Sequence, residues 1–166
     1  MSRHIYLNPG ELYFGEGPAQ IETLLGSCVA IVLRHPRRIL GGVCHFLLPE
    51  RHARTSGTPL DGRYGAEAMQ LLLLQARRHG CVAGEFEAKL FGGARALDVG
   101  WRGDTVGEHN ARFARQLLHR YGIALRCSDL GGTGYRYLRV DLARGEVWVR
   151  RGGALTLPGR TAGMPG

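Results

Sequence analysis

A chain of 166 residues with 44% hydrophobic and 22% charged residues is composed like a single ordinary globule, able to bury roughly 70% of its unfolded surface; disordered and membrane-spanning classes are poor fits. Its 22 basic residues against 14 acidic ones, with a pI near 9.9, favour acidic partners, but the arginines are spread from Arg34 to Arg151 without an RNP, helix-turn-helix, KH or zinc-finger signature. The expectation is no nucleic-acid partner and no membrane insertion. Cysteines 28, 44, 81 and 127 lack CxxC spacing and Arg3 to Asn8 lacks signal-peptide character, so the expected setting is a reducing cytoplasm in which free thiols persist.

Residues 1–21 alternate weakly around a Pro9-Gly10 turn and predict two short strands. Val29 to Leu33 and Ile39 to Leu48, joined by the turn-like His35-Pro36-Arg37-Arg38, are apolar on both faces over part of their length and predict strands covered from two sides. Residues 50–63 are polar and rich in Gly, Pro and Ser, too long for a plain connector, and predict a mobile rim or lid. From Tyr64 to His79, Met69, Leu72, Leu73 and Ala76 fall at helical spacing, with Gly80 at the end; four successive leucines, 71 to 74, predict burial on more than one side.

Glu85 to Phe91 predicts a strand running into Gly92-Gly93-Ala94. Thr105 and Glu108 form a capping box for a helix over Val106 to Tyr121, closed by Gly122. Ile123 to Asp129 predicts another strand, ending in Gly131-Gly132-Thr133-Gly134, and Tyr135 to Leu142 with Glu146 to Arg150 predict a hairpin about Ala143-Arg144-Gly145. Neither glycine run is followed by GK[ST], which argues against a nucleotide loop, and no local ligand pair suggests a metal or cofactor. The fold class expected is α/β (α+β), a layered sandwich of mixed β-sheet with two main helices, with one catalytic domain over residues 1–151 and a flexible tail over residues 152–166.

Chemistry concentrates between residues 22 and 49. Two strands meeting at the turn bring Cys28 and His45 side by side, so an imidazole can take the proton of a thiol whose free pKa is near ~8.5, then return it to a departing amine. Gly26 allows a tight turn before the cysteine, leaving the amides of Ser27 and Cys28 to face an oxyanion. For any one Cys and His, a buried small hydrophobe and a satisfied strand histidine are the plainer account. Side chains alternate along a strand, so if His45 faces Cys28, Cys44 faces away, which makes it packing rather than the resolving thiol of a redox sensor.

Leu25-Gly26-Ser27-Cys28-Val29 and His45-Phe46-Leu47-Leu48-Pro49, with 45 minus 28 giving a spacing of 17, resemble the two hallmark motifs of the CheD family of chemoreceptor glutamine deamidases. The resemblance continues in Arg63-Tyr64-Gly65 with Ala68-Met69, in Phe91-Gly92-Gly93-Ala94, in the Gly107 to Asn110 region and in Asp129-Leu130-Gly131-Gly132. It implies a fold of the cysteine-hydrolase type, deamidation of receptor glutamines by Cys28 and His45, cleavage of glutamate methyl esters by the same acyl chemistry, and contact with a CheC-type phosphatase. It also implies a threonine six residues before the cysteine supporting the histidine. That position is Glu22, with Thr23 one residue later, so either Thr23 or Glu22 takes the role, or neither does. A non-catalytic module that regulates receptors or a phosphatase by contact is the competing expectation.

Overall fold

The computed structural model describes residues 2–95, 105–152 and 154–155. Two five-stranded mixed sheets lie face to face, and two helices cover the outer face of the second. The first sheet has the order β1 (Arg3–Leu7), β3 (Ala19–Leu25), β8 (Arg136–Asp141), β9 (Glu146–Arg151), β10 (Ala154–Leu155); the second has the order β2 (Leu12–Glu16), β5 (Leu40–Phe46), β4 (Val29–Arg34), β6 (Glu87–Gly92), β7 (Ala124–Leu130). β1 runs parallel to β3 and β6 parallel to β7, while the other pairings are antiparallel.

Sequence composition explains this layering. β4 is buried at Val29 through Leu33 and β5 along its whole length, because the second sheet is the middle layer and neither of its faces meets water. One face packs Ala30, Val32, Val43 and Phe91 against Ile21, Leu25, Leu138 and Val140 of the first sheet. The other packs Val29, Ile31, Leu33 and Phe46 against Met69, Leu72, Phe113 and Leu117 of the helices. β3 and β8, with only one covered face, alternate buried and half-exposed residues.

Helix α1 (Gly65–Arg78) and helix α2 (Val106–Tyr121) stand where their periodicity puts them. The Thr105/Glu108 capping box forms, and Gly122 ends α2 in the left-handed conformation. The run Leu71 to Leu74 departs from expectation. Only Leu72 is buried and Leu74 is 44% exposed, because α1 has the sheet on one side and water on the other. A single 3-10 turn at Ala83–Glu85 precedes β6.

The 50–63 segment carries no helix or strand, but it is tied to the start of α1. Arg51 makes a two-pronged ion pair with Glu67 at 2.6 and 2.8 Å, and the Asp61 N–H donates to the same carboxylate at 3.0 Å. Glu67 is held below the usual carboxylate range by that guanidinium. Of the expected tail, Ala154–Leu155 pairs with β9, while residues 156–166 lie outside the described residues.

Candidate active site

The β4–β5 ladder ends at Val29 opposite Phe46, with Ala30 opposite His45 on the rung before it. Ala30 belongs to the cluster between the two sheets, and Cys28 packs against the same cluster. Cys28 and His45 are therefore diagonal neighbours on one face of the sheet, within reach of a long side chain. Cys44 points the other way, into the cluster under the helices, where complete burial pushes its thiol up to about 12.

His45 reaches across the sandwich from the second sheet to Thr23 of the first, whose Oγ1 lies 2.6 Å from Nδ1. Thr23 Oγ1 also lies 2.8 Å from the Leu7 carbonyl, an atom that can only accept, so the single hydroxyl proton is spent there. Toward the imidazole the hydroxyl must accept. Nδ1 therefore carries the ring proton and Nε2 presents its lone pair, the tautomer a general base needs. Among the described residues Nε2 has no hydrogen-bond partner, and the ring is buried. Burial lowers the imidazole to about 4, so it is uncharged at neutral pH.

Cys28 is half-buried, and that burial raises its thiol above the ordinary range, while its own N–H pulls slightly the other way. The resting pair is thus a thiol beside a neutral imidazole, not a thiolate beside an imidazolium. The two are not hydrogen-bonded to each other. The N–H groups of Ser27 and Cys28 donate to no other described residue.

The loop holding Cys28 is fixed through its carbonyls. Gly93 N–H donates to the Cys28 carbonyl at 2.8 Å and Ala94 N–H to that of Gly26 at 3.0 Å. Gly92 sits at φ +109, and a Cβ there would collide with the Cys28 carbonyl oxygen. Arg136, 1% exposed, donates to the Gly92 carbonyl at 3.1 Å and to that of Gly131 at 2.6 Å, with Asp129 as its carboxylate partner.

This geometry bears on two expectations. Thr23, not Glu22, lies against the imidazole, because residues 22 and 23 alternate across β3 and Thr23 is the one facing inward. Gly26 is not where the backbone demands glycine: its φ is not positive and a Cβ there would meet nothing within 4 Å. The demand falls on Gly92, distant in sequence.

Asn110 was legible only as part of a matching stretch, although an amide three residues before Phe113 on the apolar stripe of α2 is a signal of its own. It is fully buried and its Nδ2 donates to the carbonyls of Ser27 and Leu47 at 3.0 and 2.8 Å.

Among the described residues one cluster has metal-ligand chemistry, His35, Cys81 and Glu85, whose ligand atoms lie within 4.8 Å of one another. His35 Nδ1 accepts the Arg37 N–H at 3.1 Å, which leaves the ring proton on Nε2, facing Glu85. An Arg38 N–H donates to Cys81 Sγ at 3.2 Å, so a guanidinium already supplies the positive charge there.

Residues 47–151 match the family described as CheD chemotactic sensory transduction. The matched stretch begins at Leu47, inside the His45 to Pro49 motif, and includes neither Cys28 nor His45. The chain is 47% identical over 147 residues to the probable chemoreceptor glutamine deamidase CheD 3 of Dechloromonas aromatica, covering 87% of this chain and 85% of that protein. It is 46% identical over 149 residues to the probable chemoreceptor glutamine deamidase CheD of Pseudomonas fluorescens, covering 88% and 83%. To CheD 1 of Chromobacterium violaceum, with the same description, it is 42% identical over 149 residues, covering 89% and 77%.

Proposed function

This chain belongs to the CheD family, and from that premise we propose that it deamidates glutamine side chains of chemoreceptors with Cys28 as nucleophile and His45 as general base. The observation that carries the residue assignment is the Leu7–Thr23–His45 chain, which leaves the Nε2 lone pair bare on the face it shares with the half-buried thiol. The CheD relatives described as chemoreceptor glutamine deamidases supply the substrate class.

The proposed reaction begins as His45 Nε2 takes the Cys28 proton while sulfur attacks the carboxamide carbon. The resulting oxyanion is met by the N–H groups of Ser27 and Cys28. Collapse breaks the C–N bond, and Nε2–H gives its proton to the nitrogen, which leaves as ammonia. His45 then removes a proton from water, whose oxygen attacks the thioester; Cys28 departs as thiolate and recovers the proton. The products are glutamate and ammonia. A glutamate methyl ester offers the same acyl carbon with methanol as leaving group, so the same residues would hydrolyse it. Membership also favours a CheC-type phosphatase as a second partner, which co-purification from a chemotactic cell would test. Among the described residues no helix is long and apolar enough to cross a membrane.

The deciding experiment is mass spectrometry of receptor cytoplasmic fragments. Amide-to-acid conversion should disappear in Cys28→Ala and His45→Ala, fall about 10- to 100-fold in Thr23→Val, and survive in Thr23→Ser, which keeps the hydroxyl. Equal conversion by wild type and Cys28→Ala would leave only regulation by contact.

A further inference from the structure

We propose that Asn110 is a positioning residue that sets the spacing of Cys28 and His45 by holding the two strand ends that carry them. The proposal rests on the reading of those two residues as the reacting pair. Extending the β4–β5 register by one step places Cys28 opposite Leu47, where the ladder has stopped. At that step the carbonyl of Ser27, just before the nucleophile, and the carbonyl of Leu47, two residues past the base, both point at the side-chain amide of Asn110.

Two carbonyl oxygens cannot bond to each other. A neutral group carrying two N–H bonds on one atom can satisfy both at once, and an asparagine amide is such a group. Because both acceptors are carbonyls, the orientation of the amide is fixed by chemistry: nitrogen toward the strands, oxygen away. That oxygen is buried and without a partner among the described residues. Leaving a buried acceptor unpaired is costly, which is difficult to account for if the residue only filled space.

The place of Asn110 on α2 ties this clamp to the rest of the site. Gly107, one turn earlier, packs so closely on the Gly93 and Ala94 carbonyls that a Cβ would collide with them. Gly93 and Ala94 in turn hold the carbonyls of Cys28 and Gly26. The first turns of α2 therefore act on the nucleophile loop by two routes, indirectly through the Gly107 backbone against Gly93 and Ala94 and directly through Asn110, and Asn110 also reaches the Leu47 carbonyl just past the strand of His45. Without it the Ser27 and Leu47 carbonyls lose their shared donor, so although the Leu47 and Leu48 N–H groups still donate to the Arg63 carbonyl at 2.8 and 3.2 Å, this link between the two strand ends is gone at the point where sulfur must meet Nε2.

The test uses the full chain and two readouts: kcat and KM on a receptor cytoplasmic fragment, and the pH profile of Cys28 alkylation by iodoacetamide followed by peptide mass spectrometry. Asn110→Ala is expected to lower kcat about 100-fold with KM changed less than about threefold, as for a small misplacement of reacting groups. Its alkylation profile is expected to move onto that of His45→Ala, since the thiol has lost its base. Asn110→Ser, smaller in volume change and retaining one donor, is expected to lose about tenfold, roughly half the effect in free energy. Wild-type kcat, or a wild-type alkylation profile, in a folded Asn110→Ala overturns the proposal; if that variant does not fold, wild-type kcat in Asn110→Ser overturns it. Failure of the underlying reading is separately visible as deamidation that survives Cys28→Ala.

Discussion

A threonine hydroxyl has one proton to give, and in this site it goes to the Leu7 carbonyl; that decides which nitrogen of His45 is bare. The same burial that hides the ring makes its protonation costly, with a consequence for stability. His45 titrates near 6.5 when unfolded and at about 4 in the fold, because burial disfavours the imidazolium. Above pH 6.5 neither state is charged at this residue and its contribution is fully present. As pH falls from 6.5 toward 4 the unfolded chain takes up a proton that the folded one refuses, and stability is lost, on the order of 3 kcal/mol in all. Urea unfolding at pH 7 and pH 4.5 should show wild type losing more stability than His45→Gln; equal losses would mean the ring is not desolvated as described. At this scale the sequence identified the Cys28 and His45 motifs. It left Glu22 and Thr23 as alternatives because both stand near the expected offset, and only the inward or outward phase of β3 separates them.

At the scale of the element, the two helices and most strands followed from periodicity and caps, down to both ends of α2, but β3 over Ala19–Leu25, which carries Thr23, was not among the two strands expected before the cysteine. Nor did the glycine requirement follow. A tight turn before the nucleophile suggested Gly26, yet the tight approach is made by β6 running under the Cys28 carbonyl, at Gly92. Gly92→Ala, strained at φ +109 and crowded against that carbonyl, should cost about 2 kcal/mol or more, whereas Gly26→Ala should change stability by less than about 0.5 kcal/mol. Chemical denaturation of the two variants checks this, and a reversed order would place the steric demand back on the turn. The 50–63 segment has a similar lesson. Composition marked it as irregular, but its anchorage depends on Arg51 meeting a buried Glu67, an ion pair that spacing alone does not announce.

At the scale of the whole molecule, a formal net charge of +8 on a chain of this size gives a long-range field rather than a patch. Acting on an acidic receptor fragment, the protein should show a KM that rises about tenfold as salt goes from about 50 to about 300 mM, because screening shortens the reach of that field. A short neutral glutamine peptide should show little change. Salt-independent KM for both substrates would remove charge from the account of docking. By itself the sequence determined the layered class, the two helices and the paired motifs, since hydrophobic period, caps and local spacing are properties of neighbouring residues. Tertiary structure alone decided that Thr23 in one sheet meets the His45 ring of the other, that Gly92 rather than Gly26 is sterically required, and that Asn110 bridges two strand ends. Each of these joins segments far apart in the chain, and only packing of the layers brings their atoms to bonding distance.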